Sequence, residues 1–199
     1  MYIISGCNGS GKTTSSYSLL PEMLSCRQYV NSDEFAKSLS PYNPSTASIR
    51  ASRYMLMKIH YLLQRGETFG IETTLATRSL LNIVSKAQAS GYEVTILYFW
   101  LHSPMMAIER VRNRVAAGGH FIPDDVVKRR YYMGLDYFFN YYLPVCDHWI
   151  LADNSSSPFK VIAQGNKDGQ AIIRNEQTFK LIKTLAGNAQ KLSDENTLL

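Results

Sequence analysis

The stretch Gly6-Cys7-Asn8-Gly9-Ser10-Gly11-Lys12-Thr13-Thr14, directly behind the apolar run Tyr2-Ile3-Ile4, narrows the possible folds more than any other feature of the chain. It fits G-x-x-x-x-G-K-[ST], with Gly6, Gly11, Lys12 and Thr13 in the fixed places, between a strand-like run and a segment of helical period. The glycines let successive N–H groups curl around phosphate oxygens, and the helix that follows aims its positive end at the same anion. Gly6, Asn8, Gly9, Ser10, Gly11, Lys12, Thr13 and Thr14 are therefore expected to hold ATP. Lys12 would reach the β and γ phosphates and Thr13 would hold Mg²⁺. A glycine-rich turn with an incidental lysine is the competing reading, and its setting in an α/β pattern weighs against it.

Apolar runs near residues 2–5, 27–31, 67–72, 93–101 and 147–152 alternate with longer stretches of helical period, the arrangement of a parallel sheet covered by helices. The expectation is an α/β P-loop NTPase fold with a five-stranded parallel sheet and helices on both faces. Residues 46–64 read as a helix with Ile49, Leu56, Ile59 and Leu63 facing the sheet, and 78–89 as another with Leu80, Leu81, Val84 and Ala87 inward. Pro104 and Pro123 each open a further helix, the second with Asp124 and Asp125 where the helix dipole favours acids. Its stripe of Val127, Tyr131, Leu135, Phe138 and Tyr142 reads better as core than as a base-stacking platform, because the basic residues sit only at the helix start. A P-loop domain is expected over residues 1–158. Residues 159–187 read as an appended hairpin, turning at Asn166–Gly169, and a helix near 176–186; residues 188–199 read as a frayed polar tail.

Composition limits the setting. With 199 residues, 45% of them hydrophobic, the chain suffices for one core. Its longest apolar run, Val94–Leu101 broken only by Thr95, is too short to span a bilayer. No basic n-region precedes the first strand, so no signal peptide is expected. Cys7, Cys26 and Cys146 lack paired spacing, which suits a reducing compartment and argues against structural zinc. These features point to the cytoplasm and to no membrane partner. A net charge of +5 is common in ordinary soluble enzymes, and the basic residues are clustered, so nucleic acid is not expected as a partner.

A phosphate loop alone does not choose among GTPases, transporter ATPases and kinases. The chain lacks an LSGGQ-like signature, His102 follows the strand that ends at Leu101, and Asn166-Lys167-Asp168 lacks the spacer of a guanine-specificity motif. Acids at strand ends say more. Asn31 and Asp33 follow the second strand, Glu72 and Thr73 close the third, and in open parallel sheets the carboxyl ends of strands line the ligand crevice. Asp33 has the position to take the proton of an acceptor hydroxyl during phosphoryl transfer. Capping the next helix, or standing near Mg²⁺, is also open to it. Asn31, Glu72 and Thr73 suit hydrogen bonds to a sugar or polyol, or simply end their strands. Arg110, Arg112, Arg114, Gly118-Gly119, His120, Arg129 and Arg130 lie between the fourth and fifth strands, where related kinases keep an arginine-bearing lid. The glycine pair reads as its hinge and His120 as a substrate contact; a solvated charged helix is the plain alternative.

GCNGSGKTT, VNSDEF, IETTL, GGHFIP and VVKRRY, in this order within residues 1–155, together resemble the zeta toxin family of P-loop kinases and its chromosomal branch. The resemblance implies phosphorylation of a sugar hydroxyl of UDP-N-acetylglucosamine by ATP. It implies Asp33 as base, Lys12 with Arg114 and Arg129 or Arg130 as charge stabilisers, and Glu72 with Thr73 as acceptor contacts. A small antitoxin protein is the partner implied. The competing readings are a kinase for another small hydroxyl compound, such as an antibiotic or nucleoside, and a non-catalytic ATP-dependent binding protein.

Overall fold

The computed structural model describes residues 1–23, 25–40 and 44–189. Its strands are β1 (Tyr2–Ser5), β2 (Gln28–Val30), β3 (Phe69–Thr73), β4 (Thr95–Trp100), β5 (His148–Asp153), β6 (Lys160–Asn166) and β7 (Ala171–Ile173). They form one sheet in the order β2-β3-β1-β4-β5-β6-β7. The first five strands pair in parallel, and β6 and β7 continue antiparallel. The sheet expected to have five parallel strands is thus a mixed sheet of seven. The hairpin covers the outer edge of β5, which would otherwise expose a row of unpaired backbone groups. Gly165 lets β6 pass close to Trp149, because a Cβ there would stand 2.6 Å from the indole ring.

The helices are α1 (Lys12–Ser18), α2 (Ser32–Leu39), α3 (Ser48–Gln64), α4 (Leu81–Ala89), α5 (Pro104–Ala116), α6 (Asp124–Tyr137) and α7 (Glu176–Gly187). Successive strand residues point to opposite faces, and β1 and β4 bury both. Ile3, Ile96 and Tyr98 join the larger core with Ile59, Leu62, Val84, Val111, Leu135 and Ile182. Ile4, Leu97 and Phe99 join a smaller one with Leu19, Leu20 and Cys26 beyond α1. Burial on both sides explains why these strands are continuously apolar in sequence. Ser103 caps α5, its Oγ accepting the Met106 N–H at 3.2 Å ahead of Pro104, and the expected core stripe is buried from Val127 on α6 to Tyr142 in the π-helical turn Phe138–Tyr142 that follows it.

One helix is rotated from its expected orientation. In α3, Ile59 is buried and Leu63 packs against the core as expected, but Ala51 and Leu62 complete that face, whereas Ile49 and Leu56 are 69% and 47% exposed. Met57 and Tyr61 are exposed beside them, so α3 is apolar on both sides and its pattern does not choose between them. Contact with α2 decides, because Ala36, Ala47 and Ala51 form a small-residue cluster that draws the two helices together. No helix among the described residues is long and apolar enough to cross a membrane. Of the expected tail, Asn188 is the C-cap of α7 and Ala189 is buried; the remainder, 190–199, lies outside the described residues.

Candidate active site

The loop from Gly6 to Gly11 joins β1 to α1 at the carboxyl ends of the central strands. Gly6 has φ +140° and Gly9 has φ +80°, and a Cβ would meet the Phe99 carbonyl oxygen at 2.4 Å in the first case and that of Ala107 at 2.6 Å in the second. Backbone of β4 and α5 therefore packs against the loop where only hydrogen fits. Lys12, 6% exposed, folds back so that its Nζ donates to the Cys7 carbonyl at 2.9 Å. Burial pulls the pKa of its ammonium below the ordinary lysine value, while Glu72, Cys7 and Asp33 act in the opposite direction. The Cys7 thiol is pushed up to about 11 by its own burial, so it is a neutral packing group. Ser10 Oγ is buried without a hydrogen-bond partner among the described residues.

A cleft of about 1120 Å³ opens over this loop. Asn8, Gly9, Gly11, Lys12, Thr13 and Thr14 line it, whereas Gly6 and Ser10 shape the loop from behind. On its floor the Glu72 carboxylate, at the end of β3, accepts from Thr13 Oγ1 at 3.0 and 2.9 Å. Glu72 Oε2 also accepts from Asn31 Nδ2 at 2.9 Å and from the Tyr29 hydroxyl. Thr73 lines the cleft too, and its Oγ1 accepts the N–H of Leu75, a buried residue held at φ +58°. Glu72 thus sits against the phosphate loop, nearer the expected metal ligand Thr13 than an acceptor contact need be.

Asn31 caps α2, its Oδ1 accepting from the N–H groups of Asp33 at 2.9 Å and Glu34 at 3.3 Å. The cap is therefore Asn31 and not Asp33. Glu34 is engaged by the Tyr17 hydroxyl, but the Asp33 carboxylate lines the cleft with no hydrogen bond or ion pair to any described residue. Its charge is felt at both Lys12 and Arg130.

Arg114, Arg130 and His120 line the same cleft. Arg114 Nη2 donates to the His120 carbonyl at 3.2 Å, and Arg130 Nη1 reaches from α6 to Asn8 Oδ1 at 3.0 Å. Burial lowers the Arg130 pKa, with Asp33 opposing. Arg129, expected as an alternative to Arg130, does not line the cleft and is exposed. The next residue of a helix is turned by about 100°, so only one of the pair can face inward.

Two contributors, Tyr29 and Asn154, and the anchoring of Arg110 have no counterpart in the sequence reading. Tyr29 stands two residues before Asn31 at the end of β2, and strand alternation, which puts both on one side, was a usable signal. Arg110 lines the cleft while its guanidinium donates to the carbonyls of Asn154 and Ser155, each at 3.0 Å. Asn154, just past β5, donates through Nδ2 to the Ser10 carbonyl at 2.7 Å. Nothing local in the sequence pairs residues so far apart.

A family model, AAA_33, described as an AAA domain, matches residues 1–131. An uncharacterized protein of Haemophilus influenzae is 32% identical over 131 residues, covering 63% of this chain and 88% of that protein. Among solved structures, a chain of the AvrRxo1-ORF1:-ORF2 complex with ATP superposes with a TM-score of 0.69 at 15% identity. That match covers 92% of this chain, which spans only 62% of the other. A chain of the PezAT chromosomal toxin-antitoxin system of Streptococcus pneumoniae matches with a TM-score of 0.64 at 14% identity, over 98% of this chain and 86% of that one. At these identities the likeness to the solved structures is one of fold, an α/β P-loop fold.

Proposed function

The chain belongs to the AAA_33 family of AAA domains, and on that premise we propose that it is an ATP-dependent kinase transferring the γ-phosphate to an alcohol hydroxyl of a small molecule. The observation that carries this reading is the Asp33 carboxylate, uncommitted among the described residues, in one cleft with Lys12 of the phosphate loop, Arg114 of α5 and Arg130 of α6. The acceptor oxygen attacks the γ-phosphorus while its proton passes to Asp33, and the bond from that phosphorus to the bridging oxygen of ADP breaks. Lys12, Arg114 and Arg130 neutralise the charge spread over the transferring oxygens. Residues 117–123, between α5 with Arg114 and α6 with Arg130, act as the lid; its closure excludes water over arginines that already line the cleft.

Thr13 and Glu72 already meet at 3.0 and 2.9 Å and offer only oxygens, one of them on a carboxylate, which suits a hard divalent cation bound together with phosphates. They would hold Mg²⁺, which supplies further neutralisation of the phosphate charge. Glu72 then serves the metal side, and Thr73, Asn31 and His120 remain for the acceptor.

For the acceptor we infer a UDP-sugar such as UDP-N-acetylglucosamine, on the resemblance of the motifs to zeta toxins and the likeness of fold to the PezAT chain. A second reading has its own observation. From residue 73 to 83 the cleft is lined by Thr73, Thr74, Thr77, Ser79, Leu80 and Ile83, with no cation, because Arg78 lies over the Tyr141 ring at 3.9 Å. Such a wall suits an uncharged hydroxyl compound, a nucleoside or an antibiotic, better than a diphosphate. Incubation with ATP and panels of UDP-sugars, nucleosides and antibiotics, read by mass spectrometry, separates the two by where one phosphate is gained. ATP binding without transfer to any of them would instead leave a nucleotide-dependent binding protein.

A silencing protein partner belongs to the same proposal, since one structural neighbour is in the AvrRxo1-ORF1:-ORF2 complex and another is from the PezAT toxin-antitoxin system. Co-expression with the product of the adjacent gene, followed by purification of a stable complex, checks it. The three unpaired cysteines support a cytoplasmic setting.

A further inference from the structure

Tyr29 lies behind Glu72, outside the cleft, and its hydroxyl does more than fill space. In register it stands beside Gly70, where a Cβ would come within 3.6 Å of the tyrosine ring, so the ring runs along β3 over a position without a side chain. Its hydroxyl thereby arrives at Glu72 Oε2. The same hydroxyl lies 3.1 Å from Ser16 Oγ, one helical turn beyond Thr13 on α1, and Ser16 Oγ donates to the Lys12 carbonyl at 2.8 Å. Tyr29 therefore touches both elements that carry the candidate metal ligands, β3 with Glu72 and α1 with Thr13.

The donors are unevenly divided over the carboxylate. Among the described residues, Glu72 Oε2 accepts from Thr13, Tyr29 and Asn31, whereas Oε1 accepts from Thr13 alone. We infer that Tyr29 is a positioning residue for the metal–nucleotide site: it pins Oε2 against β2 and α1, and so keeps Oε1 turned toward the phosphate loop as the oxygen left for a divalent cation. Asn31 shares the task, but its amide also caps α2, so removing it would disturb the fold as well. Tyr29 makes no contact with the cleft and acts only through Glu72. A hydrogen-bonded partner of this kind tunes a metal ligand's orientation, and its loss costs roughly tenfold or more in metal affinity.

This inference rests on the nucleotide-site reading above, and its test distinguishes the failure of either. Tyr29→Phe keeps the ring and removes only the hydroxyl. Binding of a fluorescent ATP analogue is measured for wild type and variant with excess chelator, and then across a Mg²⁺ titration. The expected result is unchanged metal-free affinity, an unchanged melting temperature and about a tenfold higher Mg²⁺ concentration for half-maximal enhancement of binding. In Glu72→Gln the enhancement should disappear, and adding Tyr29→Phe to it should change nothing further. An identical Mg²⁺ titration in wild type and Tyr29→Phe overturns the positioning role. So does an equal loss of affinity with and without metal, which would make Tyr29 a packing residue. If wild type binds no nucleotide under either condition, the site reading itself falls.

Discussion

The two ends of one sheet treat their carboxylates in opposite ways. Before the amino end of β5, Asp147 accepts from Lys167 Nζ at 2.7 Å, Gln88 Nε2 at 3.0 Å and the Val94 N–H at 2.8 Å. Burial pushes its carboxyl upward, yet these three donors hold it at about 2. At the carboxyl ends of the strands, Asp33 has no donor from the described residues, and Glu72 is held by hydroxyl and amide groups without a cation paired to it. A carboxylate whose partners are all supplied by the fold ties loops together. One left unsatisfied remains available to an incoming ligand. A substitution at Asp33 should therefore change turnover with little effect on stability, and one at Asp147 should do the reverse.

The largest effect is expected for Lys12→Ala, which should reduce phosphoryl transfer by about a thousandfold with every acceptor while leaving the melting temperature within a few degrees; a kinase assay beside a thermal melt checks both. Asp33→Asn should lower turnover by about a hundredfold to a thousandfold with ATP affinity kept. Near-normal turnover in single-cycle kinetics would remove Asp33 from the base role and break the contrast at its centre. Arg130→Ala should lower turnover by about a hundredfold, against less than about threefold for exposed Arg129→Ala, because only Arg130 faces the cleft. At the opposite end, Asp147→Asn should leave turnover unchanged and reduce unfolding free energy by about 1 kcal/mol, measured by urea denaturation. The smallest effect is one of pH. The folded-state pKa of Asp147 lies below the ordinary 3.8, so its contribution is present above about pH 4 and is lost as the pH falls toward 2. Wild type and Asp147→Asn should therefore converge in stability over that window.

What could be read in advance follows the same division between local and distant contacts. The phosphate loop was legible because nine consecutive residues carry it, each constrained by its immediate neighbours. The hairpin was legible from the Asn166–Gly169 turn, but its pairing with β5, and so the size of the sheet, depends on an edge that sequence does not display. The C-terminal half of the expected α3 face, Ile59 and Leu63, does meet the core; Ile49 and Leu56 do not, because they share its spacing while Ala51, the contact that sets the rotation, is too small to stand out. The Glu72 cluster draws on residues 13, 29, 31 and 72, from the ends of two strands, β2 and β3, and a helix, and no period or motif connects them.

The Asn154 contact bears on how the molecule can be divided. The family match ends at residue 131, but the phosphate loop is completed by a hydrogen bond from 144 positions further along the chain than Ser10. Arg110, inside the matched stretch, is anchored on the carbonyls of that same later segment. Trimming the protein to its most recognisable part would remove β5 and the amide that braces the Ser10 carbonyl. The motif is portable as a pattern of letters; as a working part it can be moved to another scaffold only with a substitute for Asn154.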